Sequence, residues 1–220
     1  MDWMAPIDAY CERIEPGLLG EPLNALSNLS FFAAALWAAV AARTARADWP
    51  IWLLIFIVAL IGLGSFAFHV FAVRWSLLAD VIPISLFIYG YLAFALRRLL
   101  AMSWTAVGMS LAVLFGATAL IERMAPPGFL NGSATYLPAL AASLLVSLAL
   151  KVRAHPAHSY ILAASIVLFV SLFFRTIDLL VCPVLPIGTH FLWHLLNGLV
   201  LVLYLEAALR FGLRKQSIMK

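Results

Sequence analysis

Seven uninterrupted apolar runs, near residues 24–42, 51–71, 78–97, 104–121, 135–150, 159–181 and 189–210, constrain this chain more than any single residue does. Runs of about 17 to 25 apolar residues are long enough to cross a hydrocarbon core of about 30 Å. Backbone N–H and C=O groups in lipid must find partners within the segment or in a closed barrel. These runs are continuous rather than alternating, which selects helices. A sequence that is 65% hydrophobic and only 11% charged is also incompatible with a soluble globular domain. The expected fold class is an all-α membrane protein, a seven-helix transmembrane bundle forming one domain over residues 1–220. An acidic segment, 1–23, precedes the bundle and a basic tail, 211–220, follows it.

The formal net charge of +4 does not point to a nucleic-acid partner, because the basic residues lie in short connections. Alternate connections carry Arg43 and Arg46, then Arg97 and Arg98, then Lys151 and Arg153, then Arg210, Arg214, Lys215 and Lys220. The opposite set has Arg13, Arg74 and Arg123. Cationic loops stay cytoplasmic, so the N-terminus is expected outside and the C-terminus inside. A cleaved signal peptide is the competing reading of the first run. The residues before it, with Asp2, Asp8, Glu12, Glu15 and Glu21 against Arg13, carry the wrong charge for one.

With that topology, polar residues distant in sequence meet at one depth. Span two ends outside with Ser65 and His69, span three begins there with Asp80, and span seven begins there with His190 and His194. In helices, Ser65 and His69, and likewise His190 and His194, share a face with Cβ atoms about 5 to 6 Å apart. Ionisable groups in spans are costly, turn inward and need a partner or a task. Three neutral imidazoles suit zinc and leave one tetrahedral position open, as in catalytic sites. The bland reading makes each histidine a separate hydrogen-bonding group. Ser65 can equally bond back to its own helix, and Asp80 can cap a helix N-terminus. His155 and His158 fall in a basic connection and read as solvated.

Several motifs together resemble the alkaline ceramidase family of seven-helix zinc hydrolases, in a superfamily that includes the adiponectin receptors. They are Tyr10-Cys11-Glu12, the stretch from Glu21 through Asn24 to Ser27 and Asn28, the stretch from Gly64 and Ser65 to His69, then Asp80, and finally His190 to His194. The resemblance implies cleavage of the N-acyl bond of ceramide or a ceramide-like lipid, a membrane-borne substrate, to a fatty acid and a long-chain amine. It implies zinc on His69, His190 and His194, proton transfer by Asp80, and oxyanion stabilisation by Ser65 with the metal. It also implies calcium near the N-terminus, on Glu12 and Glu21 with Asp8, the Tyr10 carbonyl and Glu15 as weaker ligands. Here the chain departs from the family pattern: Asp8 is not adjacent to the aromatic residue, and Ile14 stands where Asn is expected. A solvated acidic tail is the alternative.

Cys11 and Cys182 are expected on the same side, and the resemblance supports a disulfide between them, with two free thiols as the other option. Arg175 and Asp178 are read as an ion pair supporting the site, with Asp178 orienting a ligating imidazole. Glu206 has no assigned task beyond pairing. An apolar cavity for the acyl chain is expected beneath the metal, lined by residues such as Phe66, Phe68 and Trp193. The rival function is a non-enzymatic receptor or scaffold with a structural zinc. A retinal protein is excluded because the lysines, Lys151, Lys215 and Lys220, all lie outside the spans. The Ala- and Arg-rich composition suggests a bacterial inner membrane, with the site toward the outer face. The sequence gives no oligomeric state.

Overall fold

The computed structural model describes residues 2–14 and 20–213. A short helix α1 (Pro22–Ser27) runs almost directly into α2 (Leu29–Thr44), and together they form the first span. The others are α3 (Trp49–Phe71), α4 (Arg74–Phe94) extended by a π turn over Ala95–Leu99, and α5 (Trp104–Met124). A 3₁₀ segment, Phe129–Tyr136, leads into α6 (Leu137–Val152), followed by α7 (Ala157–Val181) and α8 (His190–Phe211). Seven helical segments are thus long and apolar enough to cross a membrane.

The closest packing is between α3 and α4 and between α7 and α8, with α2 against both α3 and α8. α5 buries only Val107 and Leu114 and lies at the periphery. Small residues allow the near approaches. At Gly64 of α3 an added Cβ would collide with the backbone carbonyl of Ala79 on α4. Backbone cannot swing aside as a side chain can. Gly64→Ala should therefore cost at least the 1 to 3 kcal/mol typical of overpacking. A thermal-unfolding scan in detergent checks this, and an unchanged midpoint would contradict the close crossing.

The basic connections gather at one end. Arg98 reaches Asp48 at 2.5 Å and the Gly212 carbonyl at 3.1 Å, and Arg153 reaches the Leu100 carbonyl at 2.5 Å. Glu206 pairs with Arg210 one turn along α8, which supplies the partner its burial required. His155 and His158 are half-buried rather than solvated, and His155 Nδ1 accepts the Ala157 N–H at 3.2 Å.

At the other end the N-terminal segment is ordered rather than a solvated tail. Pro6 bridges Val73, with Ile7 N–H donating to the Ala72 carbonyl at 2.7 Å. Cys11 and Cys182 form a disulfide across a Cα–Cα distance of 5.5 Å. The Glu12 carboxylate accepts the N–H groups of Leu23 at 2.6 Å and Asn24 at 2.8 Å. It thereby satisfies donors that the start of α1 leaves unpaired. This segment closes over the ends of α3, α7 and α8.

Candidate metal centre

His69 comes from the last turn of α3, and His190 and His194 from the first turns of α8. All three are fully enclosed, at 0%, 2% and 1% exposure. One ring nitrogen from each lies within 4.8 Å of the others, the only such group of three or more metal-ligating side chains among the described residues. The Nε2 atoms of His69 and His194 are 3.2 Å apart. Zinc–nitrogen bonds of 2.0 to 2.1 Å in a tetrahedron place ligand nitrogens about 3.3 Å apart, so this edge already has the length an ion needs.

What surrounds the rings also suits a cation. Glu21 Oε2 meets His69 Nδ1 at 2.5 Å, and Ser27 Oγ meets His194 Nδ1 at 2.7 Å. Each contact fixes a tautomer and leaves Nε2 to face inward, as supporting groups do for metal-bound imidazoles. His190 Nδ1 is buried with no hydrogen-bond partner, an orphaned acceptor that a cation would satisfy. Its ring is held by Tyr10, stacked at a centroid distance of 3.5 Å. The residues present therefore fit a bound zinc ion.

Asp80 and Ser65 join this cluster. Asp80 is buried, its Oδ1 has no hydrogen-bond partner, and Ser65 is its neighbour. The capping reading of Asp80 is wrong, because α4 starts at Arg74 and places Asp80 in its second turn. Ser76 performs the terminal task, accepting the Val73 N–H at 3.1 Å. The Asp80 Oδ1 is thus a buried acceptor with spare capacity.

The residues expected at a calcium ion have the following contacts. Glu12 caps α1, and the Tyr10 carbonyl accepts the Arg13 N–H at 3.3 Å. Asp8 is exposed, and Glu15 lies outside the described residues. Glu21 binds Arg13, His69 and Asn24. Burial pushes the Glu21 carboxyl up, but hydrogen bonds from His69 and Asn24 and the charge of Arg13 outweigh this and hold it below the usual carboxylate value. Glu12 goes the other way: burial raises it despite its two backbone donors. Burial pushes the Tyr10 phenol up to about 12, so it is a neutral hydroxyl at physiological pH.

A lowered folded pKa makes Glu21 stabilising above the unfolded value of about 4.3, with that contribution lost as the pH falls through the lower folded value. Glu21→Gln should therefore unfold at a lower temperature than the parent at pH 7, with the gap closing in acid. A gap equally large at pH 3 and pH 7, followed by tryptophan fluorescence, would contradict the clamp.

Two further expectations are corrected. Arg175 and Asp178 make no ion pair with each other. Asp178 accepts the backbone N–H groups of Cys11 at 2.9 Å, Thr189 at 2.7 Å and His190 at 2.9 Å. It positions the start of α8 rather than an imidazole ring. An apolar cavity does run into the bundle, lined by residues including Phe31, Phe87, Leu168, Trp193 and Val200. Phe66 and Phe68 are not among its walls: Phe66 is exposed on the outer face of α3, and Phe68 packs against Tyr10 and His69.

Glu21 and Ser27 carry only a weak sequence signal as imidazole partners. Their spacing with Asn24 puts all three on one face of a helical turn, but nothing local names the histidine each meets.

No curated protein matches the chain. A family model described as Ceramidase matches residues 10–217, a stretch that includes Tyr10, Glu21, Ser27, Ser65, Asp80 and all three histidines. The chain belongs to the ceramidase family.

Proposed function

We propose that this protein is a zinc-dependent amidase of the membrane that cleaves the N-acyl bond of ceramide or a ceramide-like lipid. The observation that carries this reading is the convergence of three buried ring nitrogens beside Asp80, whose Oδ1 has no hydrogen-bond partner, near Trp193 in the wall of an apolar cavity. His69, His190 and His194 would hold the ion. Bound there, zinc supplies Lewis acidity, polarising a carbonyl and lowering the pKa of water to about 7.

The chain's own residues do the rest. Glu21 and Ser27 hold two of the imidazoles in the ligating tautomer, and stacking on Tyr10 orients the third. Asp80 accepts the proton of the attacking water and returns it to the leaving nitrogen as the C–N bond breaks and the C–O bond forms. Ser65, beside Asp80, turns its single O–H to the charge developing on the amide oxygen. The enclosed site, under the N-terminal segment, keeps bulk water from competing for these groups. The cavity walls accept the acyl chain.

The clustering of arginines at the end opposite the histidines supports a cytoplasmic C-terminus and a site facing the outer leaflet. The whole chain acts as one domain. Purified protein incubated with a panel of N-acyl lipids tests the reading: fatty-acid release is expected, and metal retention without release from any of them would favour a structural zinc in a receptor-like protein.

A further inference from the structure

We propose that Arg175 forms a carboxylate-binding subsite beside the histidine triad. The inference rests on the amidase reading for the source of the ligand, but its structural basis is separate. Arg175, in α7, points its guanidinium between two protein segments that supply neutral partners only. Nη1 donates to the Asn131 carbonyl and, at 3.3 Å, to Ser133 Oγ, and Nη2 donates to the Tyr10 hydroxyl at 3.4 Å. The cation lies over the faces of Tyr136 and Trp193, 5.5 and 5.6 Å from their centroids. No carboxylate among the described residues comes within ion-pairing distance, and Asp178, three residues on, is committed to backbone N–H groups. These contacts occupy three of the five N–H donors a guanidinium carries.

Holding a cation there costs the protein backbone strain. Leu130, Asn131 and Gly132 adopt left-handed conformations in succession, with φ of 51°, 49° and 72°. An added Cβ at Gly132 would stand 3.2 Å from Nη1. Asn131 closes the loop by donating its side-chain amide to the Arg175 carbonyl at 3.0 Å. Such geometry persists only where surrounding structure enforces it, and a buried charge whose nearest carboxylate, Asp80, lies beyond ion-pairing contact is expensive. Both costs are understandable if the counter-charge arrives with the ligand.

Location selects the ligand. Tyr10 touches Arg175 with its hydroxyl and His190 with its ring. Trp193 and Tyr136, the two rings beneath the guanidinium, are also walls of the apolar cavity. A long-chain lipid lying in that cavity with its head toward the triad brings its polar group alongside Arg175. Guanidinium and carboxylate match as a two-donor fork. The carboxylate can come from the released fatty acid or from an acidic group on the amine side of the substrate.

The test uses the full-length, metal-loaded protein in detergent and measures equilibrium binding of a radiolabelled saturated fatty acid and of the fatty alcohol of equal chain length. The acid should bind about tenfold tighter or more, the range for charge-assisted hydrogen bonds. Arg175→Gln should remove most of that preference, with alcohol binding and metal content unchanged. Arg175→Lys, which keeps the charge but loses the fork, should retain part of it. Parity in the parent protein overturns the subsite even if the variants do not fold, and so does a preference undiminished in Arg175→Gln. Relief of fatty-acid product inhibition in Arg175→Gln identifies the product as the source. A raised KM confined to substrates with an acidic head identifies the substrate. Acid preference without hydrolysis of any N-acyl lipid leaves the subsite standing and removes the amidase reading; hydrolysis without acid preference does the reverse.

Discussion

Asp80→Asn should keep its metal and lose turnover by roughly 10²- to 10⁴-fold, the contribution typical of a positioned general acid–base group. The substitution is nearly isosteric, so packing against α3 is preserved. Asparagine offers an oxygen where the carboxylate had one, but it cannot take a proton from water or return it to the leaving nitrogen. The partnerless Oδ1 of Asp80 marks it as the group with spare capacity. Because the loss lies in the chemical step, kcat should fall while KM stays near the parent value. Metal analysis alongside steady-state kinetics checks this. Near-parent kcat would move proton transfer to another group, and lost metal would make Asp80 part of the ion's support.

His190→Ala should abolish both metal and activity. Three protein ligands hold a catalytic tetrahedral ion with its fourth position open, and removing one leaves two imidazoles that cannot hold it under dialysis. His190 is the sharpest choice because its Nδ1 has no hydrogen-bond partner and its ring is stacked rather than bonded. The mutation thus removes a ligand without breaking a hydrogen bond of that ring. It leaves a cavity beneath Tyr10, so some loss of thermal stability is expected as well. Stoichiometric metal in the folded variant would show that the triad is not the binding set.

The same contrast explains what was legible in the sequence. The spans follow from length and hydropathy, and the meeting of His69, His190, His194 and Asp80 follows from counting spans, because parity assigns every residue an end. Ser65 and His69 share a face through helical periodicity. The same periodicity turns Phe66 away from that face, which is why it lies outside the cavity while Trp193 lines it. Contacts between elements carry no such local signal. Glu21 and His69 are 48 residues apart, and Ser27 and His194 are 167 apart. Their pairing depends on how α1 folds down beside α3 and α8. Asp178 was misassigned for a similar reason: its targets are backbone N–H groups, which look alike in every sequence. The apolar run begins near Asp80, which leaves capping open beside proton transfer in the sequence, whereas the helix starts earlier, on residues that are themselves polar or aromatic, Arg74, Trp75 and Ser76.

Fatty-acid release by the purified protein, followed before chelation, after chelation and after zinc is returned, bears most directly on the triad as the seat of amide hydrolysis. Release from an N-acyl lipid should disappear on chelation and return with about one zinc per chain, in the parent and not in His190→Ala. Release that persists in the metal-free protein, or that is equal in the variant, would contradict the account.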